Sequence, residues 1–219
     1  MDTPQLQGRV LRLQTGQALP FAREQVSAIN KSQVERVEVS TIGFDGDEQA
    51  DQFFHGGQLQ AVHQMPLRAY ALIAQAFPGV ALHEGMLGEN LIVSGMHEAT
   101  VCIGDVFGIN GVQLRVTRPR RPCWKIDSQL NRSGVAKFLQ EQGCVGWYYQ
   151  VLHTGSIQRH DDCVLLQRPH AFATLTRLWE IYNDASFRDP EEIQRWLGIE
   201  ALERSFKEVL GQRLGSRPG

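Results

Sequence analysis

The residue with the most chemical potential is Cys123, which lies in the run Arg118-Pro119-Arg120-Arg121-Pro122-Cys123-Trp124-Lys125. No acidic residue occurs between Asp105 and Asp127, while Arg115, Arg118, Arg120, Arg121 and Lys125 are all basic. Prolines at 119 and 122 fix φ and keep the segment extended, so its guanidinium groups are presented at defined positions. Planar, forked guanidinium groups match phosphate or carboxylate. A thiol set among cations is held toward its thiolate, the form that attacks electrophiles or binds a soft metal. The competing reading is a solvated basic loop with an incidental cysteine. The coincidence of thiol, bracketing prolines and missing acids favours chemistry.

Two further segments carry candidate polar groups. Gly46 to Gly57 holds Asp51 and His55 ahead of the glycine pair Gly56-Gly57, and glycines allow close backbone approach or positive φ. These residues form either a packed turn, with His55 bonded to Asp51, or a ligand-facing loop. Gly85 to Leu91 ends on Gly88-Glu89-Asn90, where Asn90 serves a turn or donates to a ligand oxygen. His63, at the end of a predicted short strand over 60–63, reads as structural or as a pocket-lining group. The other cysteines, Cys102, Cys144 and Cys163, form no C-x-x-C pair, which argues against zinc and leaves them as buried thiols by default. The chain also lacks G-x-G-x-x-G, a P-loop, H-E-x-x-H and G-x-S-x-G. A Rossmann enzyme, an NTPase, a zincin and an α/β-hydrolase are therefore disfavoured.

The elements that must position these groups are mostly strands up to about residue 167. Residues 8–13 and 34–39 alternate apolar and polar with period two, as half-buried strands do. Residues 106–109 and 112–116 flank Asn110-Gly111, the strongest short hairpin signal. Runs at 147–152 and 163–166 complete a pattern that predicts a barrel or sandwich. Helices are predicted over 66–77 and 133–142, the second capped by Ser133 and ended by Gly143. After residue 168 the pattern turns helical. Segments near 174–182, 190–198 and 200–210 are predicted as three short helices, the middle one started by Asp189-Pro190. The tail from Gly211 is expected to fray.

With 219 residues the chain has enough length for a real core in one domain plus a small appendage. A net charge of −2 excludes a strongly basic nucleic-acid binder at the whole-chain level. No apolar run is long enough for a membrane span, and Met1 to Gln5 carries no secretory pattern, so a cytoplasmic setting with reduced thiols is expected.

Taken together, three segments resemble the MOSC family, named for the C-terminal domain of molybdenum cofactor sulfurase. The shared pattern is G-D-x-x-A-D-x-x-x-H-G-G at Gly46 to Gly57, then G-E-N at Gly88-Glu89-Asn90, then a basic segment leading to P-C at Arg118 to Cys123. The helical C-terminus is similar to that of the YiiM-type subgroup. The resemblance implies a mainly β fold with helices (α+β): a MOSC β-barrel-like domain over 1–168, its core about 30–165, followed by a small three-helix domain over 169–219. It implies a molybdopterin-type molybdenum cofactor, with Cys123 as thiolate ligand to the metal. Asp51, His55, Gly56, His63, Asn90, Arg118, Arg120, Arg121 and Lys125 would surround the cofactor, and His55 would deliver a proton. Members of this kind are similar to the mitochondrial amidoxime-reducing component. They reduce N-hydroxylated compounds such as 6-hydroxylaminopurine, with electrons from a flavoprotein reductase. Two other readings stay open: a sulfur carrier using a Cys123 persulfide, and a non-catalytic binding module. No nucleic-acid or membrane partner is expected. The oligomeric state is left open, a homodimer included.

Overall fold

The computed structural model describes residues 5–50 and 57–215. Its strands are β1 (Gln5–Thr15), β2 (Leu19–Pro20), β3 (Val26–Ser27), β4 (Ser32–Val34), β5 (Arg36–Ser40), β6 (Gly43–Phe44), β7 (Val62–Gln64), β8 (Leu91–Val93), β9 (Val106–Ile109), β10 (Val112–Pro119), β11 (Trp147–His153), β12 (Gly155–Gln158) and β13 (Asp162–Gln167). Its helices are α1 (Arg68–Ala76), α2 (Trp124–Gln129), α3 (Val135–Glu141), α4 (Leu175–Asn183), α5 (Pro190–Leu197) and α6 (Arg204–Gly215).

Seven strands close into a barrel in the order β13-β9-β10-β11-β7-β8-β1, and β1 pairs back with β13. Closure removes the unpaired edges that an open sheet would expose. Asn110 (φ 46°) and Gly111 (φ 86°) both adopt the left-handed conformation that a two-residue hairpin turn needs, joining β9 to β10. Strand β1 is long enough to serve several partners. Its first part pairs with β13, its middle with β8 and its end with β4, with register shifts between Leu6 and Gly8 and between Val10 and Arg12.

The barrel interior is apolar, with Phe107, Leu114, Val116, Trp147 and Tyr149 almost fully buried. Burying each such large side chain contributes roughly 1.5–3 kcal/mol. The C-terminal helices join this same cluster through Leu178, Trp196 and Phe206. Backbone bonds also tie them to the barrel: Ile103 N–H donates to Ala173, Leu175 N–H to Val101, and Glu203 N–H to Thr117. A second cluster, including Met65, Ile73, Leu87, Ile126 and Leu139, packs α1, α2 and α3.

Several local expectations meet a different outcome. Helix α3 is not capped by Ser133. The carboxylate of Asp127, in α2, accepts from Gly134 N–H (2.9 Å) and Ala136 N–H (2.7 Å) instead. The chain stays extended through Cys123 (φ −129°, ψ 170°), as the prolines predict, and helix α2 starts directly after it at Trp124. Helix α6 continues beyond Gly211 because Arg213 donates to the terminal carbonyls of α4, at Ile181 and Tyr182. The start of α5 follows the sequence: Asp189 accepts from Glu191 N–H and Glu192 N–H, with Pro190 in the first turn.

Candidate functional site

Four barrel strands and the segments that flank them converge on one pocket. Strand β10 ends at Pro119, and Arg120 N–H bonds to Gly146 O at 2.9 Å, which directs the chain across the end of β11. Gly146 is required at this crossing. Its φ is +72°, and a Cβ there would lie 2.5 Å from the Gln64 carbonyl oxygen and 3.0 Å from His63 Nε2. Cys123 follows at the start of α2, half-buried, and its neighbours Arg120, Arg121 and Lys125 line the same pocket. From the opposite wall come Lys31 and Asp47, then His63 on β7, Asn90 before β8, and Tyr148 on β11. The pocket encloses about 700 Å³ including its mouth.

The polar groups of this wall are chained together. Asn90 accepts from His63 N–H (3.1 Å), and its amide donates to Gln14 O (3.3 Å) and to Asp47 Oδ2 (2.8 Å). Asp47 Oδ1 in turn accepts from Gly16 N–H (2.7 Å) and from the Lys31 ammonium. Asn90 thus has its carbonyl and both amide hydrogens engaged, and it holds the wall in place. Lys31 and Asp47 form a buried ion pair, their side chains 5% and 8% exposed. Burial pushes the Lys31 ammonium below the ordinary lysine value, and Asp47 opposes that shift.

His63 is buried and its ring lies against Tyr148, centroids 5.0 Å apart. Burial, with the Arg120 and Lys31 cations, holds its pKa well below the usual histidine value. Its Nδ1 faces the Gly88 carbonyl at 3.1 Å, which fixes the hydrogen there. Nε2 is left as a bare acceptor, buried and without a partner among the described residues.

Behind this wall sits Glu89, fully buried, accepting from Tyr70 O–H, from Gly85 N–H (2.7 Å) and from Gln14 (3.3 Å). Burial raises its pKa, and hydrogen bonds from Tyr70 and Gly85 oppose that rise. The folded state therefore holds this proton more tightly than the unfolded chain. Its contribution to stability is full below the ordinary value of 4.5 and is lost as pH rises above it. Glu89→Gln is accordingly expected to flatten the fall of Tm as pH rises above 4.5, measured by thermal melts. Equal slopes in the two proteins would contradict a proton held on Glu89.

The positions singled out from the sequence separate into groups. Cys123, Arg120, Arg121, Lys125, His63 and Asn90 share the pocket. Arg118 is not on its lining: the side chain is buried against Glu203 (3.3 Å) and over the faces of Tyr148 and Phe206. Its guanidinium is used by the C-terminal helices, so its expected place beside a cofactor phosphate is not what the geometry shows. Asp51, His55 and Gly56 lie outside the described residues. Lys31, Asp47 and Tyr148 were missed as site residues. Lys31 stands alone in the sequence, and only Asp47 carried a signal, as part of the Gly46 to Gly57 motif.

The four cysteines differ as the barrel requires. Burial raises the thiols of Cys102 to about 11 and of Cys144 and Cys163 to about 12. One thiol, Cys123, is therefore expected to react with iodoacetamide in the folded protein, and all four after denaturation; intact-mass spectrometry counts the adducts. Labelling of a second cysteine at a comparable rate would overturn this.

Comparison with known proteins bears on this arrangement. The MOSC domain model matches residues 51–164. Protein YiiM of Escherichia coli (strain K12) is 30% identical over 202 residues, which cover 91% of this chain and 89% of that protein. A protein named reductase from Gibberella moniliformis is 37% identical over 169 residues, 75% of this chain and 29% of that longer protein. A crystal structure described as that of a hypothetical protein superposes with a TM-score of 0.80 at 28% identity, covering 94% of this chain and 90% of that one. YiiM from Geobacillus stearothermophilus shares the fold, with a TM-score of 0.77 at 23% identity, covering 97% and 100% of the two chains. Both the barrel and the helices that follow it are thus matched, and the chain belongs to the MOSC domain family as a relative of the YiiM proteins.

Proposed function

We propose that this protein is a molybdenum-cofactor-dependent reductase of N-hydroxylated compounds, 6-hydroxylaminopurine among them, with Cys123 as the thiolate ligand to molybdenum. One observation carries the reading. Of the four cysteines, Cys123 alone lines the pocket, and among the described residues there four cations face two carboxylates. A soft anionic sulfur beside a surplus of positive charge is the donor set that a thiolate-ligated metal with a phosphate-bearing organic ligand requires.

The residues present fit such a cofactor. Arg120, Arg121, Lys125 and Lys31 offer N–H donors for phosphate and ring carbonyls. His63 Nε2 is a buried acceptor without a partner among the described residues, and an N–H of a pterin would satisfy it. When bound, the cofactor supplies the two-electron redox centre, and the protein supplies orientation and electrostatics. The overall change takes R–NHOH, two electrons and two protons to R–NH2 and water. Burial and neighbouring cations keep His63 neutral, so it orients a ligand and does not donate the proton. That role is proposed for His55, from its place in the sequence motif. The surplus of positive charge among the described pocket residues draws anionic groups inward. A flavoprotein reductase is proposed as electron donor.

The test is molybdenum and pterin analysis of protein made in a cofactor-competent host, with turnover of 6-hydroxylaminopurine under a chemical reductant. Stoichiometric metal with turnover is the expected result. A persulfide on Cys123 with sulfur transfer and no metal would favour the sulfur-carrier reading, which the same accessible thiol also serves.

A further inference from the structure

Arg118 and Arg121 are two like charges close in sequence on the segment leading to Cys123, and the C-terminal helices hold both. Glu203 N–H donates to the Thr117 carbonyl of β10 at 3.2 Å, docking the start of α6 beside this segment. The Glu203 carboxylate then takes Arg118 Nη1 at 3.3 Å. Its same oxygen accepts from Ser205 O–H, and Ser205 Oγ accepts from Arg121 Nη2. A continuous relay therefore runs from Arg121 through Ser205 to Glu203, and Arg118 ends on the same acid. The rings of Phe206 (5.0 Å) and Tyr182 (5.7 Å) lie under the Arg121 guanidinium. Burial, and after it repulsion from Arg121, disfavours the charge on Arg118, and Glu203 opposes that shift. Arg121 nonetheless lines the Cys123 pocket, on an otherwise exposed side chain. Lys125 Nζ, by contrast, donates to the Val26 carbonyl at 3.5 Å.

We infer that Ser205 and Glu203 are positioning residues, which fix the Arg121 guanidinium at the rim of the Cys123 pocket and so make that pocket selective for anionic ligands. The C-terminal helices thereby act on the site through charge placement. This inference rests on the proposed reading for the identity of the anion, a cofactor phosphate, but not for its geometry.

The test uses the full-length chain without added cofactor and two thiol reagents of similar size, anionic iodoacetate and neutral iodoacetamide. The measured quantity is the ratio of their rates at Cys123, set against the same ratio for glutathione. The wild-type ratio is expected to exceed the glutathione ratio, and Arg121→Gln and Ser205→Ala each to lower it by about threefold, as local charge concentrates an anion. Ser205→Thr, which keeps the hydroxyl, is expected to retain it. Three results would overturn the inference: a wild-type ratio equal to that of glutathione, a Ser205→Ala ratio unchanged while Arg121→Gln lowers it, or both reagents accelerating in step, which reports only a looser loop. Neither reagent needs molybdenum, so failure of the reductase reading leaves this measurement unaffected.

Discussion

Cys123→Ala is expected to lower turnover of 6-hydroxylaminopurine by on the order of 10³-fold or more, because on the proposed reading the variant loses the thiolate that holds the metal. The fold itself should survive. Cys123 is half-buried at the edge of the pocket, and its side chain neither caps α2 nor belongs to the apolar clusters. Thermal melts should therefore differ little, while bound molybdenum falls. Cys123→Ser is the sharper variant. It keeps the size of the side chain but replaces a soft sulfur with a hard hydroxyl, so activity should stay near the alanine level. Equivalent substitutions at Cys102, Cys144 or Cys163 act through packing, and should lower Tm with activity per folded molecule retained. Undiminished turnover in Cys123→Ala would remove the metal-ligand assignment. Loss of activity with metal retained would shift the role of this thiol toward sulfur transfer.

The second large effect is expected on stability, at Asp47. Its carboxylate satisfies the Lys31 ammonium, Gly16 N–H and Asn90 amide together in a buried setting. Asp47→Ala leaves an uncompensated buried cation and two unpaired donors. Breaking a buried ion pair from one side costs about 3–5 kcal/mol, which for a chain of this size lowers Tm by on the order of 10 °C. Lys31→Met is expected to cost less, because Asp47 keeps its two N–H donors and an apolar side chain suits the cavity. The double variant should be more stable than the sum of the two single losses, since it removes both charges. Thermal melts of the four proteins make the comparison. A loss below about 1 kcal/mol in Asp47→Ala would mean that water already reaches the pair.

Local rules made much of the barrel legible. Period-two alternation marked β1 and β5, Asn110-Gly111 marked the β9–β10 hairpin, and Asp189-Pro190 marked the start of α5, because each depends on neighbouring residues alone. The reach of α6 and the cap of α3 were not legible. Arg213 and Asp127 reach carbonyls and N–H groups that only packing brings near. Arg118 and Arg121 show the same limit within one motif. Both read as phosphate donors by type and spacing, yet the first is turned onto Glu203, 85 positions along the chain, and only the second stays on the pocket.

The sequence by itself determined which thiol was distinctive, since an acid-free basic stretch around Cys123 is a property of consecutive residues. Only the tertiary structure decided which charges that thiol shares a pocket with. Lys31 and Asp47 come from one side of the barrel and Arg120 and Arg121 from another, and no local pattern relates them. Barrel closure joins them, because strand pairing fixes where each loop emerges, and electrostatic interaction depends on distance in space and not along the chain.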